Sequence, residues 1–320
     1  MNSEADEKTA AVERQIKTLD AMLASALALA PFSFDKLMAS TASPRFDPGP
    51  LGQAGTVPDW ADFAPPRPSW PRRLTGARSR RRQQAAARAR FEAAQSGHRS
   101  QEAQRRQALT QAKARYDQEV TEEHVRAVRR NADIASRRSA FAARDAESVE
   151  WYVGQVLAAS RYPDVFPREH RVAYRARSGQ VVIEFELPPR RIVPSVRAFR
   201  YVQARDAVEP LPRPEREIRQ RYTRLISSLA LRTLHEVFSA TPPEVVGSVV
   251  FNGLVATVDR ATGKPVRPYL LSVSAERQAF DDLVLAAVEP VACLRHLNAL
   301  TSPDPFDLQA VEPLVSLDRG

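Results

Sequence analysis

Between Arg78 and Arg130 the chain contains no proline and consists mainly of Ala, Arg, Gln and Glu, all strong helix formers. A single helix of about 50–65 residues there would run for about 75–100 Å at 1.5 Å per residue. The alternative is an Ala-rich helical hairpin, with Gly97 at the bend. Large apolar residues are sparse in this stretch: Phe91, Leu109, Tyr116, Val120, Val125 and Val128. They hold no clean heptad, because Glu119, Glu123 and Arg126 fall where a seam begun at Leu109 and Ala112 would continue. The expectation is a long basic helical arm over residues 76–144, coiled-coil-like but without a strong zipper.

The segments before the arm have a different character. Val12, Ile16, Leu19, Leu23, Leu27 and Ala30 recur at helical spacing, which predicts an amphipathic helix within residues 1–31, ended by Pro31. Residues 32–75 then turn to Pro, Gly, Asp and aromatics, and the prolines block regular structure. Phe46, Trp60, Phe63 and Trp70 make this segment an extended strap whose rings dock on a folded body, in preference to a free linker.

Residues 145–320 read as an α+β domain. Asp145 is placed to cap a helix whose apolar face carries Val149, Tyr152, Val153, Val156 and Leu157. HRVAYRAR and QVVIEFELP alternate around Ser178-Gly179, which predicts a hairpin, and AFRYV follows as a third strand. Ile218, Tyr222, Leu225, Leu229 and Phe238 mark a helix over 215–239. A second hairpin turns at ATGKP, and a last helix lies between Pro290 and Leu300. Hairpins without βαβ crossovers predict an antiparallel or mixed sheet with packed helices. Asn252-Gly253, interrupting an apolar strand, predicts a bulge or a close backbone approach.

Charge is unevenly placed. The chain has 47 basic and 38 acidic residues, a net +9, and only five of the basic residues are lysine. Residues 71–140 carry +11, which leaves −2 for the rest, and +8 falls between Pro71 and Arg90. A compositional bias toward arginine would spread more evenly. Arg72, Arg73, Arg78, Arg80, Arg81, Arg82, Arg88 and Arg90 therefore form the candidate phosphate-binding surface, with double-stranded DNA as the expected partner. The bland alternative is a solvated helix whose arginines pair with acids one turn away.

Signals for catalysis are weak. Tyr162-Pro163-Asp164 followed by Glu184-Phe185-Glu186 imitates half of a metal-dependent nuclease motif, but no lysine occurs between Lys113 and Lys264. The alternation around Glu184 and Glu186 predicts instead a solvent-facing strand edge. Cys293 and His296 share a helix that reads as core. The five histidines show no metal-ligand spacing, and no glycine-rich phosphate loop occurs. No cofactor and no metal are expected. One cysteine excludes an internal disulfide framework and fits a reducing compartment, and no apolar run reaches the roughly 20 residues of a membrane span. A cytoplasmic protein without a membrane partner is expected.

Several phrases resemble a known family. SRYPDVFPREHRVAYRARSGQVVIEFELPP, RAFRYVQARDAVEPLPRP, VVFNGLVATVDRATGKPVRP and ACLRHLNALTSPDPFDLQAVEPLV, with FDPGPLG and PDWADFAPP ahead of the arm, are similar to the N-terminal region of actinobacterial restriction-system proteins of the Mrr type. In that family a separate nuclease domain with a PD-(D/E)xK metal site follows this region. No position here matches that motif, so no catalytic residue carries over. The resemblance implies a non-catalytic DNA-contacting or assembly subunit of a restriction or anti-phage defence system, either free-standing or a piece of a longer product. Its protein partner would be a nuclease or helicase of the same system, or a second copy of the chain. A structural scaffold without a nucleic-acid role is the competing expectation.

Overall fold

Asp145 starts a helix as its sequence position suggests: its carboxylate accepts the Ser148 N–H at 2.9 Å. In the computed structural model, which describes residues 2–65, 77–259 and 261–317, that helix is the fourth. The elements in chain order are α1 (Asn2–Asp20), α2 (Met22–Leu27), α3 (Ala77–Ala142), α4 (Ala146–Ala158), β1 (His170–Arg175), β2 (Gln180–Glu186), β3 (Val196–Val202), β4 (Ala207–Pro212), α5 (Glu215–Ala240), β5 (Ser248–Leu254), β6 (Thr257–Val258), β7 (Pro265–Val266), β8 (Tyr269–Glu276), α6 (Arg277–Asp281), α7 (Pro290–His296) and β9 (Leu300–Thr301). The fold is α+β. Two compact units are present, Met1–Leu37 with Asp133–Gly320, and Met38–Ala132.

The first unit is built on a five-stranded sheet of order β1-β2-β5-β8-β9. β1 and β2 form the expected hairpin, and Gly179 supplies the positive φ of +67° at its turn. β5 and β8 form the second hairpin, with the short β6–β7 ladder at its tip. Between these hairpins β2 and β5 run parallel, which decides between the two expected sheet types. The third predicted strand does not join the sheet. It becomes β3, pairs only with β4, and α5 then carries the chain back across to β5. The sheet is therefore mixed.

Helices α4 and α5 bury one sheet face. Val181, Ile183, Val249, Phe251, Leu271 and Val273 share a core with Val149, Tyr152, Val153, Tyr222, Leu225, Ile226 and Leu229. β2 and β5 are covered on both faces, as parallel pairs usually are. On the second face Asn252 is wholly buried. Its amide donates to the Val315 carbonyl at 2.7 Å and accepts the Ser272 hydroxyl at 2.7 Å, while the Leu314 N–H donates to that hydroxyl at 2.9 Å. Gly253 is a close-approach position with a register shift beside it: a Cβ there would lie 2.8 Å from Leu187 Cδ1.

The predicted N-terminal helix divides at Ala21 into α1 and α2. Asp20 pairs with Arg221 at 2.8 Å, and the buried Arg232 takes the Met22 carbonyl at 3.2 Å, so both sides of the break are held by α5. α1 also binds β3, where Thr9 Oγ1 accepts the Phe199 N–H at 2.9 Å. Phe34 and Phe141 pack on Tyr152 with ring centroids 4.2 and 4.8 Å away.

Candidate nucleic-acid interface

The basic arm is a single helix of 66 residues, about 100 Å at 1.5 Å each, and Gly97 does not bend it into a hairpin. Its sparse apolar residues acquire meaning from the strap. Asn131 exchanges two hydrogen bonds with the backbone of Ala39, at 2.8 and 3.0 Å. Further along, the Tyr116 hydroxyl donates to the Pro44 carbonyl, and its ring packs at a tilt on Phe46 with centroids 5.2 Å apart. Arg105 reaches the Leu51 carbonyl, and His98 Nε2 lies 3.2 Å from the Gly55 carbonyl. Phe91 receives Trp60 and Phe63 at 5.5 and 5.7 Å. The strap thus runs antiparallel to α3. From Ala39 to Phe63 it spans the helix from Asn131 to Phe91, about 60 Å, or about 2.5 Å per strap residue, close to the 3.1 Å of polyproline II.

The helix face under the strap carries Ala87, Phe91, Ala94, His98, Glu102, Arg105, Leu109, Ala112, Tyr116 and Val120, all buried or half-buried. Their spacing averages about 3.7 residues, near the 3.6 of a straight helix and above the 3.5 of a coiled coil. A search for heptads misses this seam, since its cover is an extended chain and not a second helix. Glu102 and Arg105 pair within it, Arg105 Nε donating to Oε2 at 2.9 Å. That hydrogen bond, against the opposing effect of burial, holds the Glu102 carboxyl down at about 2.

The helical register divides the candidate arginines. At 100° per residue, Arg78, Arg81, Arg82 and Arg88 fall within an arc of about 120° on the side away from Ala87 and Phe91. All four are exposed and extend over about 15 Å of helix axis. None of them forms an ion pair among the described residues. Arg90 is exposed but lies outside that arc. Arg80 is half-buried and lies on the Ala87 and Phe91 side. Arg72, Arg73 and Trp70 lie outside the described residues. Glu92 is the first acid of the helix and ends the cationic stretch.

The carboxylates of the nuclease-like phrase are already occupied. Asp164 pairs with Arg168 at 3.3 Å and Glu186 with Arg267 at 3.1 Å. Glu184 is buried, which corrects the expected solvent-facing edge, because β2 is an interior strand. It accepts the Tyr269 hydroxyl and pairs with Arg171 at 3.3 Å. Cys293 is buried, and burial followed by the charge of Glu289 pushes its thiol up, opposite to the shift an activated nucleophile needs. His296 is exposed on the same helix. Among the described residues no group of three or more His, Cys, Asp or Glu is placed to hold a metal ion, and no helix is long and apolar enough to cross a membrane.

No protein-family model, curated protein or solved structure matches this chain.

Proposed function

We propose that this chain is a non-catalytic subunit of a bacterial restriction or anti-phage defence system, and that its α3 arginine face contacts the phosphates of double-stranded DNA in the cytoplasm. The supporting observation is the placement of Arg78, Arg81, Arg82 and Arg88 together on the exposed face, with the docked strap on the other side. Guanidinium groups released from intramolecular pairing are available to phosphate oxygens, and such contacts position a protein without reading bases. Its protein partner would be a nuclease or helicase of the same system, and cleavage would belong to a nuclease. Fluorescence anisotropy with a duplex of about 20 bp tests the reading. Replacing Arg78, Arg81, Arg82 and Arg88 by Ala should weaken binding at least about tenfold, whereas Arg90→Ala alone should change it little. Unchanged affinity in the fourfold variant would remove the DNA role from this face.

One observation favours assembly through the same helix. Ser96, Ser100, Ala103, Gln107, Thr110, Ala114, Gln118, Thr121, Val125, Val128 and Ala132 follow one exposed face without a charge, while half of the other residues in that span are charged. Val125 and Val128 are 43% and 48% exposed. Under this scaffold reading the face pairs with another helix and DNA plays no part. Light scattering of the full chain should then report an oligomer that Ala114→Arg with Val125→Arg dissociates. A monomer at all concentrations, before and after substitution, would count against self-association.

A further inference from the structure

The arginine arc of α3 and its uncharged face share one side of the helix. At about 100° per residue, the face from Ser96 to Ala132 falls within an arc of about 80°, which lies wholly inside the arc of about 120° that holds Arg78, Arg81, Arg82 and Arg88. Only Glu92 carries charge between the two on this side. A basic stretch is therefore followed, without a break in the helix, by about 54 Å of exposed surface that bears no charge. The face steps by four and three residues from Ser96 to Ala114 and again from Gln118 to Ala132, with one additional step of four between them. Alternating steps of this kind are the a and d positions of a coiled coil, and the extra step is a stutter that returns the average to the 3.6 of a straight helix. A pair with this spacing needs little supercoiling, so α3 keeps the strap on its other side. Burial of the face costs little. Thr110 and Thr121 already donate their hydroxyls to the Arg106 and Asp117 carbonyls, at 3.0 and 2.7 Å, and Val125 and Val128 stand 43% and 48% exposed.

We infer that two copies of the chain pair in parallel through this face on duplex DNA, with the basic first turns of α3 forking over the duplex as paired basic helices do, an inference that rests on the DNA reading above. The size of the surface couples pairing to DNA. A contact strip about 54 Å long and about 10 Å wide removes about 1,100 Å2 from the two copies together, below the roughly 1,200 Å2 at which specific interfaces begin. A parallel pair also sets the two arginine arcs side by side, where they repel until phosphates lie between them. An antiparallel pair would hold the arcs about 90 Å apart, beyond the length of a duplex of about 20 bp, about 70 Å. Only the parallel pair brings both arcs onto one short duplex.

Sedimentation velocity of the full chain should show a monomer without DNA and, with a duplex of about 20 bp, two chains bound cooperatively to each duplex. Ser100→Cys reports the orientation, because equivalent positions meet along a parallel pair, whereas an antiparallel pair would set Ser100 near Val128. In oxidised glutathione this variant should cross-link to itself at least about tenfold faster on the duplex than without it, and should not cross-link to a Val128→Cys chain. The native Cys293 is buried and stays in place. Ala114→Arg with Val125→Glu keeps the net charge and opposes like charges in a parallel pair, so it should abolish cooperativity and cross-linking while each chain still binds the duplex. Binding of the wild type as a lone chain, without cross-linking of Ser100→Cys, would overturn this inference and leave the DNA reading standing. Equal cross-linking with and without duplex, or cross-linking to Val128→Cys, would overturn it as well. No binding of the duplex at all would remove both.

Discussion

Asn252 occupies the middle of a strand in which every residue is buried. An apolar residue would keep the β5 pattern, but the tail residues Leu314 and Val315 bring backbone N–H and C=O groups onto this face, and Asn252 with Ser272 answers them. Asn252→Ala should destabilise the first unit by about 3 kcal/mol, since the Val315 carbonyl and the Ser272 hydroxyl both lose a buried partner. Urea unfolding measures this as a fall in midpoint at unchanged slope, and a loss under about 0.5 kcal/mol would show that the tail is not held there. Arg277 works in a comparable way at the end of α5. Its guanidinium takes the carbonyls of Phe238, Thr241 and Val246 at 2.8, 3.0 and 2.9 Å, satisfying groups that a helix terminus leaves open.

At the scale of elements, α3 and its strap stabilise one another. A bare helix of this composition has little apolar surface to bury, and the strap adds ring contacts and side-chain bonds to its own carbonyls. Glu102 makes the docking sensitive to pH. Its carboxyl is held at about 2 against an ordinary 4.5, so its contribution is complete above 4.5 and is lost as pH falls from 4.5 through 2. In a Trp70→Phe, Trp151→Phe chain, Trp60 fluorescence should therefore report strap release over that window, and Glu102→Gln should remove the transition. Gly97 gives a second test. No atom lies within 4 Å of a Cβ built there, so Gly97→Ala should raise helix stability by about 0.5–1 kcal/mol, read as a higher midpoint in far-UV circular dichroism. An unchanged or lower midpoint would mean that the helix needs its glycine. Helices and hairpins with clear boundaries were legible from residues such as Asp145, Gly179 and Pro290, each of which acts locally. The strap's target was not legible, because Phe91, His98 and Tyr116 declare a face only once an extended partner is laid along it. The break at Ala21 depends on Arg221 and Arg232, some 200 residues away, and leaves no local mark.

At the scale of the molecule, the same division separates what sequence conveys from what packing decides. An antiparallel or mixed sheet was readable from its two hairpins. The parallel pairing of β2 with β5 was not, because strands covered on both faces lose the alternation that shows which neighbour they take. Uneven charge was readable too, and the unbroken helix decides which arginines share an exposed face. Arg80 is half-buried on the side of Ala87 and Phe91, while Arg78, Arg81, Arg82 and Arg88 stay in register with one another. Neutralisation of DNA phosphates by this face, as proposed above, is tested most directly by the salt dependence of duplex binding. Each phosphate contact contributes about −0.9 to the slope of log K against log salt, so the Arg78, Arg81, Arg82, Arg88→Ala chain should bind with a slope shallower by about 3.6 than the wild type. Equal slopes for the two chains would contradict it.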